Sequence, residues 1–210
     1  MNILNVESKK VALCESMKEL YTEKILTDIG GNLSFKDEQT NSFWISPSRI
    51  RKNTVKPNQL LEVSLDSGEV LTNTEHLKPS VEWPMHLAIY THKPAITQIT
   101  HTHAPYATAY SILEHPPVVP QITLEITILV PELLVVPYQP SGSKELGSAV
   151  STYLEKSDIV ILKNHGTVAV TTADDFVDTA IKTRALEEYL RLYSLAKQMG
   201  TEITPFPGKV

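Results

Sequence analysis

Apolar positions recur with two different periods along this chain, and the switches between those periods divide it into elements. Val11, Leu13, Met17, Leu20, Tyr21 and Ile25 lie at helical spacing, which predicts a first helix over residues 7–28, stopped by Gly30-Gly31. Residues 33–35 and 42–45 read as short antiparallel strands across a polar loop, and residues 60–71 as a hairpin around Asp66-Ser67-Gly68. Ser80 suits the N-cap of a helix over 81–90, because its hydroxyl can accept from the free amides of the first turn. Residues 96–103 are rich in β-branched side chains and free of Gly and Pro, the pattern of a strand. That strand closes at Ala104-Pro105, where Pro fits the first turn of a following helix. Residues 116–138 are apolar but broken by prolines, which argues against one long strand. A helix over 143–154 and an almost wholly apolar strand over 158–163 come next. Residues 166–170 form that strand's continuation or its hairpin partner, and a long helix over 173–199, capped around Thr172, ends the pattern. Strands early and central, with helices before, between and after them, predict an α/β protein with one sheet.

The period of the strand over 96–103 carries chemistry. Residues two apart on a strand share a face, so His101 and His103 project together, close enough to hold one ion. An isolated His-x-His pair equally suits one packed and one solvated imidazole. The apolar strand over 158–163, however, runs into Asn164-His165-Gly166, which sets a third imidazole at a strand mouth with Gly behind it for close approach. Three imidazoles on zinc leave a fourth position open, the arrangement of catalytic sites. Glu82 falls in the first turn of its helix, where the dipole favours a carboxylate, although a solvated helix-start acid occupies the same place. His86, one turn on, is expected to pack or hydrogen-bond within that helix and not to touch the metal, and His76, His92 and His115 to lie at the surface.

Composition narrows the partners. The 210 residues are 41% hydrophobic and 20% charged, as in a globular protein with a substantial core. The net charge of −5, with no basic cluster beyond Arg49-Ile50-Arg51-Lys52, argues against nucleic acid. The single Cys14, in a helical pattern, is expected to be a small buried hydrophobe, as in a reducing cytoplasm. The start of the chain lacks the apolar core of a signal peptide, and no stretch is apolar enough to cross a membrane, so a cytoplasmic location is expected.

Three motifs then resemble a known family in order and spacing: KPSVEWPMHLAIY (78–90), THTHAPYATA (100–109) and LKNHGTVAV (162–170). They are similar to the class II aldolase/adducin family, most closely its L-fuculose-phosphate aldolase branch. GGNLSF (30–35), ISPS (45–48) and VVPYQPSGSKEL (135–146) extend the likeness over nearly the whole chain. The resemblance implies a single domain over residues 1–210, an α/β/α sandwich around a mainly antiparallel central sheet, and a homotetramer with active sites at subunit interfaces. It implies one Zn2+ per chain on His101, His103 and His165, with cobalt, manganese or iron as substitutes in the cell. Zinc there would stabilise the enediolate left when a carbon–carbon bond breaks beside a carbonyl. Glu82 would ligate zinc in the empty enzyme and, displaced by substrate, move the proton at carbon. The expected reaction splits a ketose 1-phosphate, such as fuculose or ribulose 1-phosphate, into dihydroxyacetone phosphate and an aldehyde. Glu at position 82, where the epimerase branch has Asp, favours the aldolase.

The phosphate site of the branch carries over to Gly31, Asn32, Ser48 and Ser80. Three positions depart from it: Ile29 replaces Thr, Arg49 replaces Gly, and Val81 replaces a second Ser. Arg49 then takes over the anion through its bidentate guanidinium, blocks the pocket, or forms a solvated turn with Arg51 and Lys52. A carboxylate-bearing substrate is the other expectation. The tyrosines that protonate the leaving aldehyde oxygen have no match, since Ile122 or Thr123 stands at one position and residues 201–210 contain no Tyr. Tyr106, Tyr110 and Tyr138 remain, and the role is unassigned. Two alternatives keep the resemblance: a metal-dependent epimerase, decarboxylase or dehydratase of a related sugar phosphate or sugar acid, and a non-catalytic module like the adducin head. The complete histidine triplet and Glu82 argue against the second.

Overall fold

Successive residues of the central strands point into opposite cores, and this alternation fixes the layers. In the computed structural model, which describes residues 5–72, 76–200 and 202–208, one sheet contains β1 (Asn32–Asp37), β2 (Ser42–Ile45), β3 (Leu61–Ser64), β4 (Gln98–Thr102), β5 (Val135–Val136), β6 (Ile159–Leu162) and β7 (Gly166–Thr171). Their order across the sheet is β3-β2-β1-β4-β7-β6-β5, and every pairing is antiparallel except β5 with β6. Ile159, Ile161 and Ala169 enter one core, whereas Val160, Leu162, Val168 and Val170 enter the other. The first core lies under α1 (Val6–Thr22), α3 (Pro105–Ser111), α4 (Leu124–Leu129) and α6 (Phe176–Gln198). The second lies under α2 (Trp83–His92) and α5 (Lys144–Tyr153). This is the expected α/β/α sandwich around a mainly antiparallel sheet. β4, buried at all five residues, pairs with β1 on one side and β7 on the other, which holds the strand that carries His101.

Several boundaries differ from the sequence expectation. The first helix ends at Thr22 rather than 28 because Lys24 takes a left-handed conformation (φ 63°). The Ile25 amide then bonds to Leu20 O and the Lys24 amide to Tyr21 O, a Schellman motif that works here without glycine. The helix expected over 81–90 starts at Trp83, so Glu82 occupies the N-cap position, and Ser80 Oγ accepts from the Glu82 amide at 3.4 Å. The last helix starts at Phe176, capped by Asp175, whose Oδ1 accepts from the Val177 amide. Residues 166–170 prove to be the hairpin partner of β6, reached through Asn164 at φ 58°. The second arm of the 60–71 hairpin shrinks to a single bridge, Val63 with Val70. The proline-broken stretch folds into α4 and β5, neither of which its pattern announces. Cys14 is half-buried against the first core, with its thiol pushed up to about 12 by burial. Expectations about residues 1–4, 201 and 209–210 lie outside the described residues.

Candidate metal centre and active site

Four segments far apart in sequence meet at the end of β4. His101 is the fourth residue of that strand and is buried. Its Nδ1 lies 2.8 Å from Thr167 O on β7. A carbonyl only accepts, so Nδ1 carries the proton and Nε2 presents a lone pair. His103, just past the strand end, turns the same way, with its Nε2 3.2 Å from His101 Nε2. His165 arrives from the β6–β7 turn, its ring centroid 4.8 Å from that of His101 and 5.2 Å from that of His103. That approach needs Gly166, where a Cβ would stand 2.1 Å from Thr102 O. Ligand nitrogens sharing a tetrahedral ion at about 2.0–2.1 Å are about 3.3 Å apart, the separation of the His101 and His103 nitrogens.

Burial keeps the imidazoles in the neutral form that metals bind. It holds His101 well below the ordinary imidazole range, with His165 and His103 adding to the effect. It pushes His103 down to about 4, with smaller contributions from His165 and Lys52. His165 is lowered by burial too, against the opposing pull of Glu82.

Glu82 is 3% exposed. Its Oε1 accepts from the Ser141 hydroxyl and lies 3.9 Å from His165 Nε2. Its Oε2 is buried with no hydrogen-bond partner, a costly state for a carboxylate oxygen that a neighbouring cation would offset. The ligand nitrogens of His101, His103 and His165 all lie within 4.8 Å of one another and fit a divalent transition metal; Glu82, expected as a fourth ligand, lies beside this cluster and is not part of it.

A cavity of about 130 Å3 opens over these groups. Gly31, Asn32, Ser48 and Ser80 line it, as the sequence expects, and so do Lys52 and Ser141. Gly31 sits at φ 85°, and a Cβ there would stand 2.2 Å from Leu26 Cδ2 and 2.8 Å from His101 O. Arg49 is not brought into this cavity. It lines the adjacent groove with Lys78 and Trp83, and it takes φ 58°, a left-handed conformation suited to the Gly expected there. Ile29 and Val81, 67% and 64% exposed, put apolar side chains at the cavity rim where hydroxyls were expected. Among the described residues no tyrosine lines the cavity: the Tyr110 hydroxyl donates to Pro117 O, and Tyr138 is exposed.

Known proteins resemble this chain over most of its length. The family model described as Class II Aldolase and Adducin N-terminal domain matches residues 11–194. The chain belongs to this family. An L-fuculose phosphate aldolase of Methanococcus maripaludis is 34% identical over 181 residues, covering 86% of this chain and 93% of that protein. A 5-deoxy-D-ribulose 1-phosphate aldolase of Bacillus thuringiensis is 31% identical over 152 residues, covering 72% and 69%. A solved L-fuculose 1-phosphate aldolase superposes with a TM-score of 0.81 at 29% identity, covering 94% and 90%. As a member of the class II aldolase family, this protein is an enzyme of the carbon–carbon lyase class.

His86 is packed as expected, but both of its hydrogen-bond partners lie on β1 and not within its own helix. It is fully buried, its Nδ1 2.6 Å from Ser34 Oγ and its Nε2 2.5 Å from Asn32 Oδ1, while Tyr90 OH lies 2.8 Å from Ser34 Oγ. The network holds Asn32 through its oxygen and leaves its amide nitrogen as the donor for the cavity. His76, His92 and His115 are exposed. Two cavity residues escaped the sequence reading. Ser141 lies in the PSGS segment, whose Ser and Gly were a turn signal only. Lys52 belongs to a basic stretch that reads as solvated, yet it is 2% exposed.

Proposed function

We propose that the whole chain is one domain acting as a zinc-dependent class II aldolase, which cleaves a ketose 1-phosphate into dihydroxyacetone phosphate and an aldehyde. The observation that carries this reading is the clustering of three neutral imidazoles in a polar cavity that Glu82, with its buried and unpartnered Oε2, also lines. The likeness to an L-fuculose phosphate aldolase and a 5-deoxy-D-ribulose 1-phosphate aldolase supports the substrate class.

His101, His103 and His165 would hold the zinc, which when bound supplies Lewis-acid stabilisation of the negative charge developing on oxygen as the bond breaks. The Thr167 carbonyl holds His101 in the tautomer that leaves Nε2 available. Glu82 is the acid/base. Its Oε1 is anchored by Ser141, so Oε2 is the atom free to take or return a proton at carbon. Gly31, Asn32, Ser48 and Ser80 receive the phosphate. Arg49, on the adjacent groove, would reach substrate only at the shared wall formed by Ser48.

The enzyme is expected to work in the cytoplasm as a homotetramer with active sites at subunit interfaces. Leu124 and Ile181, both exposed, line one apolar groove that a neighbouring subunit would cover. No described helix is long and apolar enough to cross a membrane. A second reading keeps the metal and changes the reaction to epimerisation, decarboxylation or dehydration. The absence of a cavity tyrosine among the described residues favours it. Incubation of the metal-loaded protein with a panel of 1-phosphoketoses separates the two. Release of dihydroxyacetone phosphate supports the aldolase, and conversion without it supports the second reading.

A further inference from the structure

The cavity wall holds one cation whose burial the protein itself does not explain. Lys52 opens a 3₁₀ turn (Lys52–Thr54) whose first amide donates to Asp28 O at 3.0 Å, and this turn directs the side chain inward until the residue is 2% exposed. Its Nζ has a single acceptor, the Pro47 carbonyl, at a long 3.4 Å. Among the described residues no carboxylate lies within ion-pair distance of it. Lysine is almost never fully buried without a partner, because the ammonium loses its hydration and gains nothing in return. Burial pushes Lys52 down to about 8, which still leaves it mostly charged at neutral pH.

The charge of the cavity says what would complete it. The histidines are neutral, Lys52 and Glu82 cancel, and a divalent ion then leaves the cavity formally two charges positive. A phosphate dianion is the matching complement, whereas a single carboxylate would leave a surplus. Ser48 and Ser80 line the same cavity and can donate hydrogen bonds to its oxygens.

We propose that Lys52 is a substrate-binding residue that holds the phosphate of the substrate against Ser48 and Ser80, supplying the charge that Arg49, turned to the adjacent groove, does not. The proposal rests on the ketose-phosphate reading above and names the group that recognises its anion. It also accounts for the lost hydroxyls at Ile29 and Val81, since one desolvated ammonium replaces them.

The test is calorimetric titration of inorganic phosphate, and of uncharged dihydroxyacetone, into the metal-loaded wild type, Lys52→Met and Lys52→Arg, with metal content measured in each. Phosphate should bind about tenfold to a hundredfold more weakly to Lys52→Met and within a few-fold of wild type to Lys52→Arg. Metal content and dihydroxyacetone affinity should not change, which a general distortion of the site would not allow. Equal phosphate affinity in wild type and Lys52→Met overturns the proposal, as does no phosphate binding to the wild type, or tighter binding of glycolate than of phosphate. Should Lys52→Met not fold, a crystal of the metal-loaded wild type soaked in inorganic phosphate decides. An oxygen about 3 Å from Lys52 Nζ supports the proposal, and an anion elsewhere or absent overturns it. Phosphate binding through Lys52 without dihydroxyacetone phosphate release would sink the aldolase reading and leave Lys52 standing. Release with Lys52→Met unaffected would do the reverse.

Discussion

His86, a single buried imidazole, and the cluster of His101, His103 and His165, of which His101 alone is fully buried, differ in whether their hydrogen bonds close. His86 is enclosed: both ring nitrogens have partners, it links Ser34 to Asn32, and Ser34 in turn bonds to the Tyr90 hydroxyl. The cluster of His101, His103 and His165 is open, for the lone pairs converge and Glu82 Oε2 has no partner. Both groups are desolvated, so burial alone does not distinguish structure from function. What distinguishes them is unspent bonding capacity. A closed polar network rigidifies a core, and an open one in a cavity waits for a ligand.

The sharpest way to break the comparison is to remove one member of the open group. His103→Ala should lose its metal and drop dihydroxyacetone phosphate release to background, while the circular dichroism spectrum stays that of the wild type. Retained metal and activity would mean that the convergence is only packing. Glu82→Gln keeps the volume and removes the base. Its zinc content by elemental analysis should stay near wild type while turnover falls about 10²- to 10⁴-fold.

The closed group should respond in the opposite way. Ser34→Ala leaves His86 Nδ1 and Tyr90 OH without partners, so urea unfolding should show a loss of about 1–3 kcal/mol with metal content unchanged. The smallest effect is a matter of pH. Burial holds His86 near 3 in the folded protein, whereas the unfolded chain takes a proton near the ordinary value of about 6.5. Above that value both states are neutral; below it only the unfolded state is charged, and stability falls as pH drops from about 6.5 toward 3. The stability advantage of wild type over His86→Phe should therefore shrink by about 1.6 kcal/mol in all between pH 6.5 and 5, with a slope that rises toward about 1.4 kcal/mol per pH unit, read by urea unfolding. A constant difference would show that His86 is not held neutral.

Much of this was legible in the sequence, where local pattern decides the outcome. The period of β4 put His101 and His103 on one face, and the apolar β6 with its Gly-backed turn placed His165. His86 was readable as packed because it lies inside a helix that faces a core. The rest depends on contacts that pattern does not encode. Lys52 looks like its neighbours Arg49 and Arg51, and only the turn that ties its amide to Asp28 O sends it inward. The first helix ends at Thr22, well before Gly30, because a Schellman motif can be built on Lys24 when Ile25 and Leu20 close a core contact. Within residues 116–138, α4 and β5 form where Ile126, Val130 and Val136 reach the cores, and proline-broken apolar runs carry no period that says so.

The central claim is that the open histidine group holds a metal the reaction needs. Zinc content and dihydroxyacetone phosphate release should be measured on one sample of wild-type protein as purified, after chelation and after zinc is restored. About one zinc per chain, with activity lost on chelation and recovered on reloading, is the predicted result. A protein without bound metal, or one whose activity survives chelation unchanged, would contradict it.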